Sequence, residues 1–113
     1  MKITPTPLET KNKSFMNWRP GSIHLNFANG NHISTAFGAG SYSDNYELSY
    51  DTKYKPLGKD NLIKSNTCEI MFTCGEKLEK ALNKKFNDGE KSPFSYLSIE
   101  NWAYIVNRIA NEN

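Results

Sequence analysis

The 113-residue sequence lacks most of the features that reveal a class of protein directly. It contains no apolar run of the roughly 18 residues that a membrane-spanning helix needs. The opening residues, MKITPTPLET, have no apolar stretch of the kind found in a signal peptide, so we expect a cytoplasmic protein. The formal net charge is only +2, which is not the strongly basic balance of a dedicated nucleic-acid-binding domain.

Cysteine is scarce as well, with only Cys68 and Cys74 in the chain. Both lie in TCEIMFTC, whose alternation predicts a strand with Cys68, Ile70, Phe72 and Cys74 on one face. An extended strand of this length separates the two thiols by about 20 Å, far beyond the ~7 Å that a disulfide allows. The close C-x₂₋₄-C spacing of a zinc pair is missing too. We therefore expect two buried free thiols.

Signals of catalysis or metal binding are also missing. No Ser-His-Asp or Cys-His arrangement stands out, and no Gly-Lys-Ser/Thr follows the glycines at 38–40. His24 and His32 have no evident third metal ligand. Three carboxylates after the glycines have no evident fixed partner, so a solvated rim is expected; they are Asp44, Glu47 and Asp51. We expect no enzymatic activity, no cofactor and no metal.

What is present suffices for one folded domain, beginning with a β-hairpin in SIHLNFANGNHISTAF. A three-residue loop that ends in a left-handed Gly30 pairs Leu25 with Ile33. This register collects the apolar side chains on one face, whereas a two-residue Asn-Gly turn mixes apolar and polar side chains on both faces. The residues predicted on the apolar face are Ile23, Leu25, Phe27, Ile33, Thr35 and Phe37.

Two helices are predicted in the second half. Residues 76–88 have helical spacing, and Gly89 ends them. Ser98 caps the second helix, whose apolar stripe is expected to lie across the sheet. We also expect a short edge strand in YELSY, residues 46–50. The predicted fold is α+β: an antiparallel sheet of three to five strands with a C-terminal helix packed on one face, in a single domain of residues 1–113 with 1–20 as an extended arm.

The stretch that contains Gly38, Gly40, Tyr42 and Asn45 is the first candidate ligand-binding segment. The favoured interpretation is a turn or bulge that bends the backbone. The alternative is a nest of backbone N–H groups that receives a phosphate or carboxylate, with Tyr42 stacked on a base.

A second candidate segment is the loop that contains Lys53, Tyr54 and Lys55. Basic residues that alternate with aromatic ones suit a nucleotide or single-stranded nucleic acid, through charge and stacking. The alternative is a solvated lysine-rich loop without a ligand.

Three stretches, IHLNFANGNHISTAFGAGSYSDN, SNTCEIMF and YLSIENWAYIVNRIA, together resemble a family of short uncharacterised proteins found mostly in phages and prophages. The matching residues are Gly38, Gly40, Tyr42, Asp44, Asn45 and Glu69, with Leu97-Ser98 before the final helix. The resemblance implies a small protein encoded by a phage or mobile element and located in the host cytoplasm. It implies no activity and no catalytic residues. It also implies a second hairpin over residues 76–91, where the local spacing predicts a helix.

From this we expect a non-enzymatic phage-type binding protein that counters host defence. It would sequester a phosphate-bearing signal nucleotide or block a defence protein, through the two segments above. The alternatives are a small structural or accessory phage protein that associates with itself, and a weak nucleic-acid-binding protein. We expect no membrane contact, and we expect a homo-oligomer, because edge strands permit self-association.

Overall fold

A computed structural model describes residues 15–17, 21–50, 63–89 and 93–112. The strands are β1 (Phe15–Asn17), β2 (Ser22–Asn26), β3 (His32–Ala36), β4 (Ile63–Ser65), β5 (Thr67–Thr73) and β6 (Phe94–Ser98). The helices are a short 3-10 helix (Tyr46–Tyr50), α1 (Glu76–Phe86) and α2 (Ile99–Asn111). Lys53, Tyr54 and Lys55, like most of residues 1–20, lie outside the described ranges.

Four of the strands form one antiparallel sheet in the order β2-β3-β5-β6, and β1 pairs with β4 in a separate two-stranded sheet. Helix α2 packs against one face of the four-stranded sheet, where the indole Nε1 of Trp102 donates a 2.8 Å hydrogen bond to Thr35 Oγ1. The predicted α+β fold is therefore confirmed.

The hairpin has the predicted register. Leu25 pairs with Ile33, and the Phe27 N–H donates to Asn31 O at 2.9 Å across the base of the loop. Gly30 has a φ of +88°, in the left-handed region that favours glycine. Alternate residues of β2 and β3 therefore face the helices, and the others form the opposite, open face of the sheet.

The core lies between the sheet and the two helices. Ile33 and Ile70 from the sheet, Leu82 from α1 and Ile105 from α2 are fully buried there. Burial of an aliphatic side chain contributes about 1.5–3 kcal/mol, so this layer is the main favourable term for the fold. No helix within the described part of the chain is long and apolar enough to cross a membrane.

Residues Glu76–Phe86 form a helix, as the local spacing predicts, where the family resemblance implies a hairpin. Helix α1 carries a Glu76–Lys80 ion pair of 2.9 Å. It ends where the N–H groups of Asn87 and Gly89 both donate to Asn83 O, with Gly89 at a φ of +84°.

One local prediction was wrong, and strand β6 was missed. YELSY is a 3-10 helix and not an edge strand, because the bonds from Tyr46 N to Ser43 O and from Leu48 N to Asn45 O close three-residue turns. Strand β6 was not predicted at all. It directly precedes α2 and pairs with β5 through an irregular register. Its buried and exposed residues therefore do not alternate regularly along the sequence.

Candidate functional site

The glycine-containing loop begins where two backbone segments approach very closely. The Phe37 N–H donates to Gly21 O at 2.7 Å, and a Cβ atom on Gly21 would lie 2.8 Å from the Cα of Gly38. Real Cβ contacts are not that short, so this crossing requires a glycine at position 21. Gly38 itself is buried in the same crossing. The role of this glycine pair is therefore backbone packing.

The N–H groups of the loop are engaged within the protein. From Gly40 to Asn45, every backbone N–H donates to an acceptor of the chain itself, at 2.7–3.2 Å. The acceptors include Tyr46 O, Gly38 O, Glu69 Oε1 and Thr67 Oγ1. An anion nest needs N–H groups that point at the ligand. The arrangement therefore favours the interpretation of this loop as a turn.

The side chain of Asn45 holds the loop against β4. Its Nδ2 donates to Phe37 O at 2.7 Å and to Lys64 O at 2.8 Å. Asp44 fixes the loop to β5 in a similar way, because its carboxylate accepts from the Thr67 hydroxyl at 2.8 Å and from Asn66 N at 3.2 Å. The hydrogen bonds of these two polar side chains stabilise the loop, and the side chain of Tyr42 is exposed to solvent.

Tyr42 is 45% exposed, and its ring stacks on that of Tyr46 with centroids 5.6 Å apart and planes 18° from parallel. Its backbone joins two strands: the N–H donates to Glu69 Oε1 on β5, and the carbonyl accepts from Tyr96 N on β6 at 2.9 Å. We call Tyr42, Tyr46, Glu69 and Tyr96 the tyrosine surface.

Tyr96 is the residue that sequence reasoning missed. Cys68 pairs with Leu97 and Ile70 with Phe94, so Ser95 and Tyr96 together lie opposite Glu69 in a β-bulge. The φ of Tyr96 is +53°, and its side chain is 53% exposed. No local signal marks this residue, because the bulge depends on the pairing of β5 with β6 and not on a turn sequence.

The open face of the sheet continues from this surface. Met71, two residues after Glu69 on β5, is 55% exposed. His24 and His32 stack on the same face with centroids 5.9 Å apart. Within the described ranges, no three His, Cys, Asp or Glu side chains come together as a metal site requires.

Both thiols are free, as predicted, but they differ in burial. Cys68 is fully buried, and burial raises its pKa strongly. Cys74 is half-buried, and burial with the nearby negative charge of Glu79 raises its pKa to about 11. A thiol must ionise to act as a nucleophile, so neither cysteine has the environment of a reactive site.

Two open grooves flank helix α1 rather than the tyrosine surface. One, of about 580 Å³, is lined by Glu76, Glu79, Lys80, Asn83, Lys84 and Gly89. The other, of about 350 Å³, lies between α1 and α2 and is lined by Lys77, Leu78, Ala81, Arg108 and Glu112. Neither includes a residue of the predicted ligand-binding segments. Comparison with protein families, curated proteins and solved structures finds no match for this chain.

Proposed function

We propose that this chain is a non-enzymatic phage-type binding protein that counters host defence in the host cytoplasm by covering a defence protein with its tyrosine surface. The observation that carries the proposal is Tyr96, a large side chain held outward by a β-bulge in an unfavourable backbone conformation. The phage setting rests on the family resemblance, and the mode of action rests on this surface.

The backbone of Tyr96 supports a role in binding. A left-handed conformation costs a residue with a side chain about 1–2 kcal/mol relative to the right-handed regions. Glycine or asparagine would relieve this cost, yet the position holds a tyrosine that is more than half exposed. Such strain persists where the side chain has a use, and bulges re-aim side chains at functional sites.

The chemistry of the surface favours a protein partner over a signal nucleotide. The loop N–H groups that would hold a phosphate are engaged, and the nearby charges of Asp44 and Glu69 are negative. Tyrosine and methionine are enriched at protein interfaces, and Tyr42, Tyr96 and Met71 are all exposed here. Of the two predicted mechanisms, occlusion of a protein is therefore better supported than sequestration. The loop with Lys53, Tyr54 and Lys55 is proposed as a second contact.

The test replaces Tyr96 with glycine. We expect Tyr96→Gly to raise the free energy of unfolding by about 1 kcal/mol, because the left-handed conformation suits glycine. The same variant should lose both protection of phage from a host that carries the targeted defence system and co-purification of the defence protein. Denaturant unfolding, plaque counts and affinity purification measure these three effects.

Tyr104→Ala is the matched control, since Tyr104 on α2 is also an exposed tyrosine, at 38%. We expect this variant to retain protection and co-purification. A Tyr96→Gly protein that still protects phage would contradict the proposal. Added mass on the purified wild type in native mass spectrometry, with no captured protein, would show sequestration of a small molecule instead.

A further inference from the structure

Three carboxylates belong to the tyrosine surface or to the loop beside it. Asp44, Glu47 and Glu69 lie in or beside the loop from Gly38 to Tyr46. Within the described residues, no lysine, arginine or histidine forms an ion pair with any of these carboxylates. In the same ranges, the ion pairs lie on the helices, at Glu76–Lys80 and Arg108–Glu112. A partner that meets this surface therefore gains from positive charge.

Glu69 has one carboxylate oxygen anchored within the protein. Its Oε1 accepts the Tyr42 N–H at 3.2 Å, and the residue is half-buried on the open face of β5. Its cross-strand neighbour on β3 is Ala36. In the described part of the chain Oε2 has no partner. One oxygen is thus anchored, and the other is left for an incoming donor.

Two exposed tyrosines have backbones that adjoin Glu69. The exposed ring of Tyr42 belongs to the residue that donates to Glu69, and Tyr96 lies opposite Glu69 in the bulge. Cations are attracted to the face of a tyrosine ring, by about 0.5–1 kcal/mol at exposed sites and more when desolvated. A guanidinium group is planar, stacks on aromatic faces and pairs with carboxylates, which a lysine ammonium does less well.

We propose that the tyrosine surface receives an arginine side chain of the partner, with the guanidinium bound to the Glu69 carboxylate and stacked on an exposed tyrosine ring. This proposal rests on the proposed function and names the chemistry that the partner presents. An acidic or phosphate-bearing ligand would meet the same three carboxylates with unfavourable charge.

The test is a titration of the ¹⁵N-labelled protein with N-acetyl-arginine amide, followed by NMR. We expect saturable shifts of the Tyr42, Glu69 and Tyr96 amide signals. N-acetyl-citrulline amide has nearly the same shape without the charge, and it should bind at least about tenfold more weakly, the loss expected for one charge-assisted hydrogen bond. N-acetyl-lysine amide should fall between the two.

Glu69→Gln should weaken binding of the arginine probe by about tenfold, whereas Glu79→Gln, at a half-buried glutamate on α1, should leave it unchanged. Equal binding of arginine and citrulline probes, or shifts confined to other acidic residues, would overturn the arginine assignment. If that assignment fails while Tyr96→Gly still loses the defence protein, the proposed function stands and only the partner's chemistry is wrong. If both fail, the surface itself is wrong.

Discussion

Two buried asparagines of this chain differ sharply in how their amides are used. Asn31 is 7% exposed, and its Nδ2 donates to Ile109 O at 2.8 Å and to Glu112 O at 2.6 Å. Asn83 on α1 is 5% exposed, and within the described residues its Oδ1 accepts no hydrogen bond. A buried acceptor without a donor costs about 1–3 kcal/mol, so the first amide stabilises the fold and the second weakens it.

We therefore expect Asn83→Leu to raise the free energy of unfolding by about 1 kcal/mol, because it removes the unsatisfied oxygen and improves helix propensity. Urea titration followed by far-UV circular dichroism measures the change. Asn107→Leu is the control, since Asn107 is exposed on α2 and its side-chain oxygen accepts from Asn111 Nδ2 at 2.9 Å. A destabilised Asn83→Leu protein would show that the amide has a role that the present contacts do not reveal.

The two ends of helix α2 are capped in different ways. At its N-terminus, Ser98 Oγ accepts the Asn101 N–H at 3.2 Å, as the sequence predicts. At its C-terminus, the β2–β3 turn supplies the cap: Asn29 Nδ2 donates to Ile109 O at 3.0 Å, beside the two bonds of Asn31. These carbonyls are left without helical partners, so the turn satisfies them and fixes the helix to the sheet.

Asn31→Ala should lower the free energy of unfolding by about 2 kcal/mol, since it removes two hydrogen bonds of about 1 kcal/mol each at the end of α2 and leaves Asn29 Nδ2 as the remaining side-chain donor to both carbonyls. Asn26→Ala, at an exposed position of the same hairpin, should change it by no more than about 0.5 kcal/mol. Urea unfolding of the two variants beside the wild type compares these effects. Equal stability of the two variants would mean that the turn does not cap α2.

The elements that the sequence predicts are those whose signals are local. The β2–β3 register follows from a glycine in the loop and alternating burial, and the start of α2 follows from a serine cap before an apolar stripe. Strand β6 escapes prediction because its partner is β5, across the whole of α1, and because a bulge interrupts its alternation. The capping role of Asn31 is equally non-local, since its acceptors lie 78 and 81 residues away.

The residues of the candidate site also fall into those that a local sequence signal predicts and those that only strand pairing brings together. Tyr42 is found from its position after two glycines, and the structure leaves its ring exposed beside Tyr46. Glu69 and Tyr96 come next to it only because β5 and β6 pair in the sheet. Lys53, Tyr54 and Lys55 lie outside the described residues and stay a prediction.

At the scale of the whole molecule, the four-stranded sheet has two unlike faces and two unlike edges. Both helices use the same face, so the other face carries exposed side chains such as His24 and Met71. The two edges differ too: β6 carries the bulge at Tyr96, whereas β2 is regular and, in the described ranges, pairs only with β3. An unprotected regular edge is a template for another strand.

The predicted homo-oligomer follows most directly from this β2 edge. The Phe27 N–H donates to Asn31 O and the Phe37 N–H to Gly21 O, so the odd-numbered residues of β2 bond to β3. By the alternation of antiparallel ladders, the N–H of His24 points away from β3, toward the free edge. We expect two copies to pair through this edge into a continuous sheet about a two-fold axis.

Sedimentation velocity should therefore show a dimer for the wild type and a monomer for His24→Pro, because proline removes an outward-facing donor without breaking the β2–β3 ladder. His24→Ala keeps that donor and should remain a dimer, which separates the backbone edge from the stacked His24 and His32 rings as the cause. A circular dichroism spectrum like that of the wild type checks that His24→Pro is folded. A wild type that sediments as a monomer, or a dimeric His24→Pro, would exclude this edge as the interface between copies.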